Sequence, residues 1–165
     1  MSESLWIRLS QMGDAGALME IDSLTWDEHS TPAQRLVWSS REQYLQKCPP
    51  GSQLVAGIGE EICGCLGFDH PTPLESNRHV YELNIAIHPA YQRRGVGHKL
   101  MEAVKQLAAE RGVRKLSLRV LASNPGAVAF YRSCGFEEQG RLVEEFYLGG
   151  QYVDDILMWC PVEHS

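Results

Sequence analysis

The run VYELNIAIHPAYQRRGVGHKLMEAVKQLAAERG, residues 80–112, carries three signals in a fixed order. Val80 to Ile87 alternates, with Tyr81, Leu83, Ile85 and Ile87 facing one way and Glu82, Asn84 and Ala86 the other, which is the period of a strand. Pro89 and the segment Gln92-Arg93-Arg94-Gly95-Val96-Gly97 interrupt it. Val96, Leu100, Val104, Leu107 and Ala108 then recur at helical spacing until Gly112 supplies a stop. Leu116, Leu118 and Val120 alternate as the next strand, so strand, glycine loop, helix and strand predict a crossover of parallel type in an α/β protein.

Working outward, Leu54 to Ile58, the turn Gly59-Glu60-Glu61 and Ile62 to Phe68 read as a hairpin. Leu5 to Leu9 suits a short strand, after which Asp14 offers a cap to a helix with Ala17, Leu18, Ile21 and Leu24 on one face. Between Trp26 and Pro50 the pattern weakens around a second helix from about Ser39 to Lys47. Downstream, Asn124-Pro125 starts a short helix that Gly135 stops. Phe136 to Leu148 and Tyr152 to Met158 form two final strands around Gly149-Gly150. With no repeat or linker in the sequence, a single domain over 1–165 is expected.

The 165 residues are 44% hydrophobic and 22% charged, ordinary for a folded globular chain. A formal charge of −6 and a pI near 5.5 work against binding to phosphate backbones, so no nucleic-acid partner is expected. The opening MSESLWIRLSQMGDAG has no basic segment before an apolar one, and no stretch approaches the ~20 apolar residues of a membrane span. The cytoplasm, without a membrane partner, is the expected setting. The odd count of five cysteines implies reduced thiols. Cys63 and Cys65 read as small buried hydrophobes, and no metal is expected.

The chemistry concentrates in the loop from Gln92 to Gly97. A loop that ends a strand and opens a helix points successive N–H groups outward at the positive end of the helix dipole, which makes an anion cradle. Gly95 and Gly97 admit a diphosphate to the main chain, while Arg93 and Arg94 add charge from the rim. The Lys-Ser/Thr of a nucleotide-triphosphate loop is missing.

IHPAYQRRGVG (87–97), the helix behind it and SNPGAVAFYRSCGF (123–136) together resemble the GNAT superfamily of acetyltransferases. They match its signatures Q/R-x-x-G-x-G/A and N-x-x-A-x-x-x-Y-x-x-x-G-F. The resemblance implies a mixed, mostly antiparallel sheet of six to seven strands with a central splay, flanked by about four helices. It also implies acetyl-coenzyme A as co-substrate. The pantetheine would run along main-chain groups of Ile85, Ala86 and Ile87, with the pyrophosphate on the amides from Arg93 to His98 beside Gln92. Asn124 would touch the pantetheine arm as well as cap its helix. Tyr131 would stand near the thioester sulfur as the acid that protonates the departing thiolate.

An alkyl amine, with a pKa near ~10, must lose a proton before it attacks, and Glu82 is the candidate base, directly or through water. Asn84 shares its face, and His79, His88 and His98 are the nearby imidazoles. Segments 84–87 and 118–124 are closest in flavour to ribosomal-protein alanine acetyltransferases, but Arg119 stands where that group carries an acidic residue. The tail GRLVEEFYLGGQYVDDILM, with Glu144, Glu145, Asp154 and Asp155, looks more like members that modify small amines. The expected activity is acetyl transfer to a small primary amine. The alternatives are a protein or peptide amine and a non-catalytic coenzyme A sensor. A homodimer is compatible with the sequence.

Overall fold

The computed structural model describes residues 4–26, 31–32 and 38–163. Parts of the weakly patterned stretch, residues 27–30 and 33–37, lie outside the described residues, as do 1–3 of the quoted opening. The elements run β1 (Leu5–Leu9), α1 (Ala15–Thr25), α2 (Arg41–Lys47), β2 (Gln53–Ile58), β3 (Glu61–Asp69), β4 (Val80–Ile87), α3 (Val96–Glu110), β5 (Lys115–Leu121), α4 (Pro125–Ser133), β6 (Glu137–Leu148) and β7 (Gln151–Pro161). The seven strands are ordered β1-β2-β3-β4-β5-β7-β6, so β4 is central as its pattern predicts. β4 and β5 run parallel, whereas β1–β2, β2–β3, β5–β7 and β6–β7 are antiparallel. Among the described residues no helix is long and apolar enough to cross a membrane.

The described residues group into two compact units. The first takes those of 1–25, 36–69 and 84–107. In it α1 turns Ala15, Leu18 and Ile21 inward, rather than the expected Ala17 and Leu24, and Leu24 is exposed. The Asp14 carboxylate accepts the Gln11 N–H at 2.7 Å and two bonds from Arg8 at 2.7 and 3.0 Å, closing a 3-10 turn before the α-helix begins. Ser40 caps α2 by accepting the Gln43 N–H at 3.1 Å. Tyr44 on that helix is buried, and its hydroxyl accepts from Gln53 at 2.7 Å. Cys63 and Cys65 of β3 lie in the core, as small hydrophobes do.

The second unit takes the described residues of 26–35, 70–83 and 108–165. Its core is a cross-strand ladder of buried pairs, Leu116 with Cys160, Leu118 with Met158 and Val120 with Ile156. Phe136 closes it at the end of α4. β6 carries two irregularities against β7. At one of them Glu144 adopts φ 50°, and its N–H donates to the Asp154 carboxylate at 2.8 Å. Gly149 and Gly150, at φ 58° and 81°, make the hairpin turn that the dipeptide announces.

Candidate active site

In the first unit, β4 ends in a 3-10 turn, Pro89–Tyr91, whose start is capped by His88 Nδ1 accepting the Ala90 N–H at 3.1 Å. His88 is thereby a turn-former. The chain then passes through two left-handed residues, Arg93 at φ 64° and Gly95 at φ 79°, before α3 begins at Val96. Alternating handedness of this kind aims neighbouring N–H groups into one concavity, a nest for an anion. The first bond into the helix is from Lys99 N–H to Gly95 at 3.1 Å, so the amides of Val96 and Gly97 belong to the open first turn. A Cβ on Gly95 would meet nothing within 4 Å, so the space over the nest is open. Gln92, Arg93, Arg94 and His98 are exposed around it.

The rim is braced rather than loose. The Tyr91 hydroxyl donates to the Glu61 carboxylate, and the Arg94 guanidinium lies 5.4 Å from the Tyr91 ring centre. Val96 is buried and fixes the start of α3. A positive φ costs an arginine roughly 1 kcal/mol or more, and Arg93 is held there by the turn on one side and the helix on the other.

The second half of β4 lies close against β3 because β3 carries glycines. A Cβ on Gly67 would come within 2.8 Å of the Asn84 amide, and one on Gly64 within 2.8 Å of Ile87 and 3.3 Å of the Ala86 carbonyl. Burial along the strand follows this contact. Tyr81 and Leu83 are buried and Glu82 and Asn84 exposed, but Ala86 is buried while Ile85 and Ile87 are half-buried. Ala86 is thus buried although it shares a face with Glu82 and Asn84, at the point where β3 comes close.

In the second unit the parallel ladder of β4 and β5 holds only Val80–Lys115, Tyr81–Leu116 and Glu82–Ser117. The printed pairs end there, whereas β4 runs on to Ile87 and β5 to Leu121. Glu82 is therefore the last β4 residue paired with β5, its side chain exposed and without a hydrogen bond among the described residues. His79 is exposed just ahead of the strand.

Asn124 caps α4, its side-chain oxygen accepting the Ala127 N–H at 3.2 Å, with Pro125 at the first helical position. Tyr131 follows two turns later. Its ring meets Phe130 and Phe136 edge-on, with centroids 5.4 and 6.1 Å away. Burial, and secondarily Cys134, pushes the hydroxyl up to about 12. The hydroxyl has no hydrogen-bond partner among the described residues, so its proton is retained and uncommitted.

Three features escape the sequence. The left-handed Arg93 is invisible because only glycine advertises that conformation. Gly64 and Gly67 sit in a strand, where glycine often marks a close backbone approach, and that signal was available. The acidic tail also separates into unlike members: Asp154 binds Glu144 and Arg141, whereas Asp155 is buried.

Residues 17–136 match the model of the acetyltransferase (GNAT) family. The chain is 39% identical over 74 residues to the spermidine N(1)-acetyltransferase of Vibrio cholerae, covering 44% of this chain and 43% of that protein. It is 41% identical over 80 residues to the ribosomal protein bS18 alanine N-acetyltransferase of Salmonella typhimurium, covering 48% and 53%. The chain thus spans about half the length of the curated relatives it matches. The crystal structure of smu.2055 from Streptococcus mutans UA159 superposes with a TM-score of 0.88 at 32% identity, over 96% of this chain and 99% of that one.

Proposed function

Because the chain belongs to the GNAT acetyltransferase family, we propose that it transfers an acetyl group from acetyl-coenzyme A to the primary amine of a small molecule by direct attack. The observation that carries this reading is the nest at Arg93 and Gly95 opening α3, open above Gly95 and rimmed by exposed arginines, as an anion such as a diphosphate requires. The family match draws on residues of both compact units, which supports reading 1–165 as one catalytic domain.

Acetyl-coenzyme A supplies an activated thioester, and the chain's own residues bind it, orient it and move protons. Amides from Arg93 to His98 hold the pyrophosphate, with Gln92, Arg93 and Arg94 at its edge. Main-chain groups of Ile85, Ala86 and Ile87 accept the pantetheine as an added strand, in which side-chain identity counts for little. Asn124 steadies that arm while capping α4. Glu82, directly or through water, takes the proton from the acceptor ammonium. Tyr131, protonated throughout the neutral range, gives its proton to the thiolate as the C–S bond breaks.

A protein or peptide amine is the second reading, and the Salmonella relative's name supports it. Thiol release from acetyl-coenzyme A, assayed with amines, amino acids and short peptides, separates these acceptors from each other. It also separates an enzyme from a coenzyme sensor. Gly97→Val tests the cradle. Gly97 has an ordinary helical backbone, so valine costs well under ~1 kcal/mol there while placing a branched Cβ against the diphosphate. Coenzyme affinity should fall at least tenfold by calorimetry. Unchanged affinity in a folded variant moves the pyrophosphate site elsewhere.

A further inference from the structure

The turn that leads into the nest is held from β3 twice. The His88 N–H donates to the Cys63 carbonyl at 2.9 Å, which fixes the main chain where the turn begins. Two residues earlier on β3, the Glu61 carboxylate accepts from the Tyr91 hydroxyl, which fixes the side chain where the turn ends. Glu61 itself stands on a firm base. It pairs with Ile58 to close the β2–β3 hairpin, and Trp6 Nε1 donates to the Gly59 carbonyl at 2.8 Å, tying that hairpin turn to β1.

Packing alone does not fix Tyr91. The residue is half-buried and lines an open cavity of about 740 Å³ together with Trp6, Arg8, Ile62, His88 and Ala90, so one side of it borders space rather than core. Its ring is oriented by the hydroxyl bond to Glu61 and by an edge-on contact with the His88 ring, centroids 5.8 Å apart. The Glu61 carboxylate also pushes the Tyr91 hydroxyl above its ordinary value, so the tyrosine keeps its proton and remains the donor. The Arg94 guanidinium stands 5.4 Å from the centre of that ring, within cation–π range, and makes no ion pair among the described residues. Its donors are therefore available to an anion, and the ring decides where they stand. Glu61, Tyr91 and Arg94 all belong to the first unit.

We propose that Glu61 is a positioning residue for coenzyme binding: through the Tyr91 hydroxyl it sets the ring on which Arg94 rests, and so aims that guanidinium at the diphosphate in the nest. The inference rests on the reading that the nest holds the coenzyme's pyrophosphate. In this role Glu61 acts through Tyr91 rather than on the coenzyme itself. A guanidinium recognises a phosphate by the direction of its planar fork as well as by charge, so an arginine left to swing on an unanchored ring loses part of its contribution although its charge is unchanged.

The test is calorimetric titration of the full chain with coenzyme A, which carries the diphosphate but no acetyl group and so reads the site apart from the reaction. Tyr91→Phe keeps the ring and removes the hydroxyl, whereas Glu61→Ala removes its acceptor. Each should weaken coenzyme A about 3- to 10-fold, part of the roughly tenfold or more expected from outright loss of a hydrogen bond to a charged group. The double variant should bind no more weakly than either single one, and Glu61→Gln, which keeps an acceptor oxygen, should recover most of the loss. In an Arg94→Ala background Tyr91→Phe should change affinity by less than about twofold, because the group it positions is gone. A general loosening of the loop would not depend on Arg94. Wild-type affinity in Tyr91→Phe overturns the proposal, as does a loss that is as large without Arg94 as with it. If Gly97→Val weakens coenzyme A and Tyr91→Phe does not, the cradle stands and only the positioning role falls. If wild type does not bind coenzyme A, or Gly97→Val leaves its affinity unchanged, the cradle reading falls and the positioning role falls with it.

Discussion

At the scale of single residues, the candidate chemistry depends on two side chains in unlike surroundings. Tyr131 packs between Phe130 and Phe136, and burial holds its hydroxyl at about 12, so it remains an acid wherever the protein works. Glu82 is exposed at the last rung of the β4–β5 ladder, open to an incoming ammonium. Tyr131→Phe removes only the hydroxyl, and turnover should fall ~100- to 10,000-fold with coenzyme affinity nearly unchanged. Because the proton stays on to about 12, any limb of the wild-type pH–rate profile between 5 and 9 must belong to another group. In Glu82→Gln turnover should drop while coenzyme affinity stays near the wild-type value. Wild-type turnover in both variants, with chemistry rate-limiting, removes these side chains from the mechanism.

At the scale of elements, α4 is short, nine residues, and its start governs where Tyr131 stands. Helices this short are marginal by themselves, so the cap matters more than it would in a long one. Asn124→Ala should lower stability by about 1 kcal/mol, measured by denaturant unfolding. Asn124→Ser keeps a capping oxygen and should restore most of that loss. If Asn124 also contacts the pantetheine arm, serine will recover stability without recovering coenzyme affinity; recovery of both reduces Asn124 to a cap. The loop before α3 shows the same economy, since one turn caps the end of β4, sets Arg93 and Gly95 left-handed and opens the helix.

At the scale of the whole molecule, two buried carboxylates give stability opposite dependences on pH. Asp14 is held below its usual range by Arg8, so its contribution is present above the unfolded value of about 3.9 and is lost as pH falls through the folded one. Asp155 is raised by burial, so its contribution is complete below about 3.9 and is lost as pH rises through the folded value. Asp155→Asn should therefore melt at or above the wild-type temperature at pH 7, and its stability should no longer decline between pH 4 and neutrality. A lower melting temperature at pH 7 means that the Arg119 pair outweighs the burial cost. Much of this protein was legible in the chain: the order of elements, the central β4, the glycine loop, the Asn124 cap and the hairpin turns all follow from local periods and local sterics. Tertiary structure decided the rest. Which α1 residues turn inward, the burial of Ala86 where Gly64 and Gly67 bring β3 close to β4, and the parting of buried Asp155 from Asp154, which holds Glu144 and Arg141, were all decided by packing. Local sequence fixes which conformations a segment can adopt at low cost, whereas burial, and with it the charge state of a side chain, depends on residues that only folding brings near.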